Sequence, residues 1–126
     1  TAVRETLAAL RARHPEGALY AVFEPRSATA CRAQHQDEYT RAFDHATEVL
    51  LAPLGRSGIA PEAALDLDRL AAAVGARGVP AAALPSVEAI VERLAAQARP
   101  GDTIALLSNG AFGGIHGLLL AALGRP

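Results

Sequence analysis

The sequence lacks lysine, methionine and tryptophan, and its one cysteine is Cys31. Without lysine, the chain cannot form a Schiff base through a lysine amine or supply the lysine of a Walker phosphate loop. One cysteine excludes a disulfide within the chain and is typical of proteins from a reducing cytosol. All twelve basic residues are arginines, so cationic chemistry here must use arginine or histidine.

Strong net charge and long apolar runs are also missing. The formal net charge is −1, so no global positive field would recruit nucleic acid. No apolar run approaches the roughly 20 residues that span a bilayer, and no basic segment followed by an apolar one opens the chain. We therefore expect a cytoplasmic protein without a membrane or nucleic-acid partner. The 126 residues, 51% of them hydrophobic, are enough for one domain with a substantial core.

Short apolar runs alternate with segments of helical spacing along the whole chain. The runs are almost continuously apolar, as in strands that are buried on both faces, and predict strands over residues 18–23, 48–52, 79–84 and 103–107. Apolar spacing and capping residues predict helices over residues 1–14, 34–46, 66–77, 87–98 and 115–123. Asp66 or Asp68 lies near the start of the third helix, and Ser86 is the predicted cap of the fourth. The last helix has an apolar stripe of Ile115, Leu118, Leu119 and Ala122, and residues 54–62, rich in glycine and proline, predict an exposed loop. This order favours an α/β fold in three layers, with a mostly parallel sheet and helices on both faces.

In such sheets, ligands bind beyond the carboxyl ends of the strands. Two predicted loops lie at that edge, over residues 24–29 and 108–114. The first contains Glu24, Arg26 and two hydroxyl side chains, and Arg26 could bind a carboxylate or a phosphate through two hydrogen bonds. The alternative is a surface ion pair between Arg26 and Glu24, which would contribute little to stability.

The second loop is rich in glycine, but it has neither the lysine of a Walker loop nor the spacing of the dinucleotide-binding motif G-x-G-x-x-G. Backbone N–H groups at the start of the following helix could still bind an anion. The alternative, which the spacing alone favours, is a tight turn in which glycine permits positive φ. Phe112 lies where a core side chain is not expected, and this favours ligand contact.

The histidines and the cysteine form no recognisable site. His14, His35 and His45 are scattered among helical residues, and we expect them to be solvated. His116 lies in the first turn of the last helix, where the helix dipole favours the neutral imidazole. No cluster has the spacing of metal ligands, and the G-x-S-x-G motif of serine hydrolases is absent. We therefore predict no resident metal and no serine triad, and interpret Cys31 as incidental.

Four stretches together resemble the C-terminal domain of the Mur ligases: AVFEPRSAT (21–29), the Gln-x-x-Tyr segment of the following helix (36–39), VLLAP (49–53) and LLSNGAFGGIH (106–116). The resemblance extends over essentially the whole chain in the same order and implies a Rossmann-like fold. FEPRS and SNGxFGGIH resemble the members that join L-alanyl-γ-D-glutamyl-meso-diaminopimelate to UDP-N-acetylmuramate in peptidoglycan recycling. The members that add L-alanine instead carry F-Q-P-H-R at the first site.

The resemblance implies a three-domain enzyme from which this chain looks excised, because the family carries a histidine-rich loop just before the position of Thr1. ATP and Mg²⁺ would be bound mainly by the absent domains, and the muramate carboxylate would be activated as an acyl phosphate. The amine of the murein tripeptide would then attack it. The C-terminal domain would position that amine, and we expect the chain by itself to be inactive.

The same resemblance implies the site residues of this domain. They contact substrate or let the backbone approach it, with none directly catalytic and none binding metal: Arg26, Ser27, Thr29, Ser108, Asn109, Gly110, Phe112, Gly113, Gly114 and His116. Ala28, Ala111 and the pair Gly117-Leu118 depart from the family pattern and leave the peptide specificity open. The alternatives are the domain of an L-alanine-adding ligase and a free-standing Rossmann-like ligand-binding module.

Overall fold

The computed structural model describes residues 2–24, 36–53, 65–107 and 115–123. Within these ranges helices and strands alternate as predicted, in the order α1 (Ala2–Arg13), β1 (Leu19–Phe23), α2 (Gln36–Ala42), β2 (Glu48–Leu51), α3 (Leu67–Ala76), β3 (Ala81–Ala83), α4 (Val87–Gln97), β4 (Thr103–Leu107) and α5 (Ile115–Leu123). The loops predicted over residues 25–29 and 54–62, together with Cys31 and His35, lie outside the described residues. His14 and His45 are exposed, as expected.

The four strands form one sheet in the order β3-β2-β1-β4, and every neighbouring pair is parallel. β1 is central, with Phe23 in register with Leu51 of β2 on one side and with Leu107 of β4 on the other. The predicted parallel sheet is confirmed. Its strand order could not be predicted from the chain, because apolar runs of similar composition do not specify which of them pair.

Two apolar clusters cover the two faces of the sheet. Leu19, Ala21 and Phe23 of β1 pack with α1, α2 and α3 on one face, whereas Tyr20 and Val22 pack with α4 and α5 on the other. Successive side chains of a strand point to opposite faces, so a strand covered on both sides must be apolar at every position. This is why residues 18–23 have no polar alternation, and it confirms the three-layer architecture.

Local capping signals define the starts of two helices. The Asp66 carboxylate accepts a hydrogen bond of 3.0 Å from the N–H of Arg69 at the start of α3, and Ser86 Oγ accepts one of 3.1 Å from the N–H of Ala89 at the start of α4. These side chains satisfy N–H groups that have no partner within the first turn of a helix. The capping predictions for both helices are thus confirmed, with Asp66 rather than Asp68 as the cap of α3.

The stripe predicted for α5 is only partly buried. Ile115 and Leu119 lie in the core, but Leu118 is 39% exposed, so its assignment to the buried stripe is wrong. α5 packs beside α4, and its Ile115 and Leu119 belong to the cluster that covers this face of the sheet. Leu118 lies outside the part of the helix that this cluster covers and is left in solvent. No helix in the described ranges is both long and apolar enough to cross a bilayer.

Candidate functional site

The carboxyl ends of β1 and β4 are neighbours in the sheet. The N–H of Glu24, the first residue after β1, donates a hydrogen bond of 3.0 Å to the carbonyl of Leu107, the last residue of β4. From β1 the chain proceeds to β2 and β3 on one side, and it returns to place β4 on the other side. Such a reversal is the topological switch point at which open α/β sheets bind ligands. The two segments singled out in the sequence therefore leave adjacent strands at this point.

The side chains that the sequence assigned to the site lie outside the described residues. They fall in segment 25–35, which follows β1, or in segment 108–114, which follows β4: Arg26, Ser27, Thr29, Ser108, Asn109, Gly110, Phe112, Gly113 and Gly114. His116 is in the first turn of α5, and its side chain also lies outside the description. The strand ends show which segments are neighbours, and the individual roles remain predictions.

Glu24 is buried, with only 7% of its surface exposed. The ion pair between Arg26 and Glu24, the alternative from the sequence, stays a prediction because Arg26 lies outside the described residues. Its backbone follows the central strand, and the neighbouring Phe23 carbonyl accepts a hydrogen bond of 2.9 Å from the N–H of Ala52 beyond β2. The signal in the sequence was a charged residue directly after a continuous apolar strand. Burial itself depends on the strands on both sides and could not be inferred.

An aromatic cluster packs against the end of β1. The ring centroid of Phe23 is 4.9 Å from that of Tyr39 and 5.7 Å from that of Phe43, with tilted ring planes. Aromatic pairs prefer tilted or offset arrangements at these distances. Phe23 and Phe43 are buried in the core, so these aromatic contacts pack the end of β1 against α2 and against Phe43, the residue after it.

A shallow groove of about 450 Å³ lies farther along the same edge of the sheet. Its lining comes from the segment after β2, the start of α3, and the end of β3 with the residues that follow it: Pro53, Leu65, Asp66, Leu67, Asp68, Ala83, Leu84 and Pro85. The lining is mainly apolar, and one of its two carboxylates, Asp66, caps α3. The groove could accept a small apolar group, and it lies at the ends of β2 and β3, whereas the switch point lies between β1 and β4.

The described groups with shifted pKa values lie near the amino ends of the strands. Hydrogen bonds of 2.8 and 2.7 Å from Arg77 hold the pKa of Asp44 below its usual value. The N–H groups of Ala18 and Arg99 lower the pKa of Asp102, and burial raises the pKa of Tyr20. In the described ranges, the hydrogen bonds of these groups stabilise turns and helix ends, and we interpret the pKa shifts as consequences of that structural role.

Comparison with known proteins identifies the family. The family model for the Mur ligase, glutamate ligase domain, matches residues 1–110. The chain belongs to the Mur ligase family. This Mur ligase domain is 34% identical over 124 residues to the UDP-N-acetylmuramate–L-alanyl-γ-D-glutamyl-meso-2,6-diaminoheptandioate ligase of Haemophilus influenzae, a match that covers 97% of the chain and 25% of that protein. It is 32% identical over 111 residues to the UDP-N-acetylmuramate–L-alanine ligase of an Acidovorax species, covering 87% of the chain and 23% of the relative.

Solved structures of the family have the same fold. A domain from a ligase of the first kind from Haemophilus ducreyi matches with a TM-score of 0.71 and 30% identity, over 97% of the chain and 81% of that structure. A murein peptide ligase from Psychrobacter arcticus matches with a TM-score of 0.74 and 27% identity, over 99% of the chain and 25% of that structure. The Mur ligase domain thus spans about a quarter of the curated relatives that it matches.

Mur ligases are ATP-dependent enzymes that generally need Mg²⁺. The described residues include no cluster of three or more His, Cys, Asp or Glu side chains that could hold a metal ion. The full sequence also has no lysine to bind a phosphate.

Proposed function

We propose that this chain is the C-terminal domain of an ATP-dependent amide ligase that joins UDP-N-acetylmuramate to L-alanyl-γ-D-glutamyl-meso-diaminopimelate in peptidoglycan recycling. The observation that carries the proposal is the 34% identity, over nearly the whole chain, to the Haemophilus influenzae ligase with that name. The FEPRS and SNGAFGGIH segments of the sequence support the same substrate. Because the chain spans only a quarter of that ligase, the activity belongs to a longer protein.

In this proposal the domain positions the incoming amine. The segments with Arg26 and with Asn109 leave adjacent strands, so both can contribute to one substrate surface at the switch point. Arg26 binds an anionic group of the peptide, Ser27 and Thr29 add hydrogen bonds, and Phe112 contacts the peptide. Holding the amine close to the activated carboxylate accelerates amide formation, because a bimolecular encounter becomes effectively intramolecular.

The remaining parts of the reaction are assigned to the rest of the enzyme. ATP and Mg²⁺ bind mainly in domains outside this chain, which by itself is inactive and binds nucleotide weakly at most. We place the enzyme in the cytoplasm, with small-molecule and peptide substrates and with neither nucleic acid nor membrane as a partner. Detection of peptide ligation by the 126-residue chain with ATP and Mg²⁺ would contradict this division of labour.

The L-alanine ligase is the second candidate, supported by the match to the Acidovorax enzyme. The first site segment argues against this candidate, because Glu24-Pro25-Arg26 replaces the F-Q-P-H-R pattern of the ligases that add L-alanine.

A free-standing ligand-binding module is the third candidate, and it predicts a different gene structure. In that case the reading frame upstream of Thr1 would not encode a central domain with a G-K-[ST] phosphate loop.

A substrate panel on the full-length enzyme tests the proposal. The enzyme is supplied with UDP-N-acetylmuramate, ATP and Mg²⁺ together with either L-alanine or the tripeptide, and both phosphate release and the ligated product are measured. We expect product with the tripeptide and little with L-alanine. Product with L-alanine alone would favour the second candidate. The isolated chain under the same conditions is the control for activity that resides in this domain.

A further inference from the structure

The groove at the carboxyl ends of β2 and β3 combines an apolar lining with a carboxylate that is available to a ligand. Leu65 of the lining is buried, and Leu67 and Leu84 are half-buried. Asp66 caps α3, whereas Asp68 is exposed and has no hydrogen-bond or ion-pair partner among the described residues. Such a groove can bind an aliphatic chain that carries a positive charge, because methylene groups gain from leaving water and a carboxylate attracts a cation.

The groove and the switch point lie at the same level of the sheet. One row of paired residues crosses all four strands at this level, from β4 through β1 and β2 to β3: Leu107, Phe23, Leu51 and Ala83. Neighbouring strands are about 4.8 Å apart. About 10 Å therefore separates the switch point, between β4 and β1, from the groove, between β2 and β3. A ligand of that length can occupy both places at once.

The tripeptide of the proposed function has this length and this chemistry. Three residues in an extended conformation span about 10 Å, whereas a single L-alanine spans about 3 Å. A tripeptide with its amine at the switch point therefore places its third residue near the groove, and L-alanine does not reach it. The side chain of that third residue, diaminopimelate, is a chain of methylene groups that ends in an ammonium and a carboxylate. The methylene groups match the apolar lining, and the ammonium matches Asp68.

We propose that this groove is the subsite for the third residue of the amine substrate, with the apolar lining around the methylene groups and Asp68 bound to the distal ammonium. The inference rests on the proposed function, because it takes a tripeptide as the amine substrate. The groove is shallow and open to solvent, so the distal carboxylate stays in water. Asp68 distinguishes a cationic third side chain from an apolar one, and the groove as a whole favours the tripeptide over L-alanine.

The test uses the full-length enzyme and three tripeptides that differ only in the third residue. L-Lysine has the methylene chain and the ammonium, norleucine has the chain without the ammonium, and alanine lacks both. Each peptide competes with the diaminopimelate tripeptide in the ligation assay, so its inhibition constant is obtained whether or not the peptide is itself ligated.

The three inhibition constants are measured in the wild type, in Asp68→Asn and in Glu88→Gln. Glu88→Gln is the matched control, because Glu88 is the second residue of α4 as Asp68 is of α3. Both side chains are exposed, and Glu88 does not line the groove. The two variants thus remove one carboxylate charge from equivalent helix positions, inside and outside the groove.

In the wild type, we expect the norleucine peptide to have an inhibition constant about three- to tenfold higher than the lysine peptide, as for one lost exposed ion pair. The alanine peptide should be about tenfold weaker again, through lost methylene contacts. In Asp68→Asn the difference between lysine and norleucine should fall below about twofold, since the partner of the ammonium is gone. Glu88→Gln should keep the wild-type difference.

An unchanged preference for lysine in Asp68→Asn would overturn the subsite, and so would the same loss of preference in Glu88→Gln or equal binding of the norleucine and alanine peptides. Tm of both variants should stay within a few degrees of the wild type, because both carboxylates are exposed. The proposed function would fail differently, through absence of product from the diaminopimelate tripeptide in the wild type, which would overturn the subsite as well. Product in the wild type with an unchanged preference in Asp68→Asn would overturn the subsite alone.

Discussion

At the scale of single residues, Gly17 shows how a turn constrains the sequence. It has φ +80°, and a Cβ atom added there would lie 2.6 Å from the carbonyl oxygen of Gly101. This turn precedes β1, and the carbonyl of Gly17 accepts a hydrogen bond of 3.0 Å from Arg11. The turns at Gly17 and Gly101, at the amino ends of β1 and β4, therefore approach each other so closely that a side chain on Gly17 would push their backbones apart.

Gly17→Ala should lower the free energy of unfolding by about 2–4 kcal/mol, from a left-handed backbone conformation combined with overpacking. Gly78 separates the two causes, since it has φ +96° and an added Cβ would have no neighbouring atom within 4 Å. Gly78→Ala should therefore lower the free energy of unfolding by about 1 kcal/mol.

Gly75 is helical with open space around it, and Gly75→Ala should raise the free energy of unfolding by about 0.5–1 kcal/mol. Urea denaturation measures all three, and equal losses at Gly17 and Gly78 would exclude the steric cause.

Arg26 and Phe112 carry the functional prediction at this scale. In the full-length enzyme, Arg26→Ala should raise KM for the peptide about tenfold or more, because an arginine bound to an anion contributes a charge-assisted hydrogen bond. Phe112→Ala should act in the same direction through lost contact area. KM for UDP-N-acetylmuramate should change little in either variant. Equal effects on both substrates would refute the role proposed for this domain.

At the scale of elements, α5 contrasts two leucines that are adjacent in the chain. Leu119 is buried against the sheet and Leu118 is 39% exposed, although both belong to the apolar stripe that the sequence predicts. Spacing shows that a helix has an apolar face, whereas the width of the covered strip depends on the neighbouring elements. Leu119 belongs to the cluster that α5 shares with α4 and the sheet, whereas Leu118 does not.

Leu119→Ala should destabilise the domain by about 2–4 kcal/mol through the cavity it leaves, and Leu118→Ala by about 1 kcal/mol or less. The two variants change the helix in the same way, so each is a control for the helix propensity of the other. Thermal unfolding of the 126-residue chain measures the difference. Similar losses in both variants would mean that Leu118 is covered in solution.

At the scale of the whole molecule, we expect the folded state to lose stability in acid, because carboxylates near the amino ends of the strands take part in an ion pair and in turns. Asp44 and Asp102 have folded-state pKa values below their usual ones, through hydrogen bonds from Arg77 and from backbone N–H groups respectively. The folded state therefore binds fewer protons than the unfolded state near the usual carboxyl pKa of about 4. The stabilisation is complete well above that value and is lost as the pH falls through the lower folded-state values.

We expect Tm of the isolated domain to decrease from about pH 5 downward and to continue decreasing below about pH 4. The variant with Asp44→Asn and Asp102→Asn should have a lower Tm at neutral pH and a weaker dependence in this acid range. Calorimetry from about pH 2 to about pH 7, on both sides of the usual carboxyl pKa, measures both effects. An unchanged acid dependence in the double variant would assign the effect to other carboxylates.

Much of the fold could be predicted from residues close together in the chain. The caps at Asp66 and Ser86, and the short apolar runs that became β1 and β4, act over a few residues and are visible in the sequence. The burial of Glu24 and the exposure of Leu118 were not predictable, because each depends on elements brought near by the sheet. Most of the site remains a prediction, since its side chains lie outside the described ranges.

The sequence by itself determined the kinds of element, their approximate ends and the family resemblance, because periodicity, capping and motifs are local properties of the chain. The tertiary structure decided that β1 and β4 are neighbours and that the switch point lies between the two site segments. Strand pairing joins residues far apart in the chain, such as Leu19 and Thr103. Its choice depends on how all the layers pack together, and no short stretch of the chain contains that information.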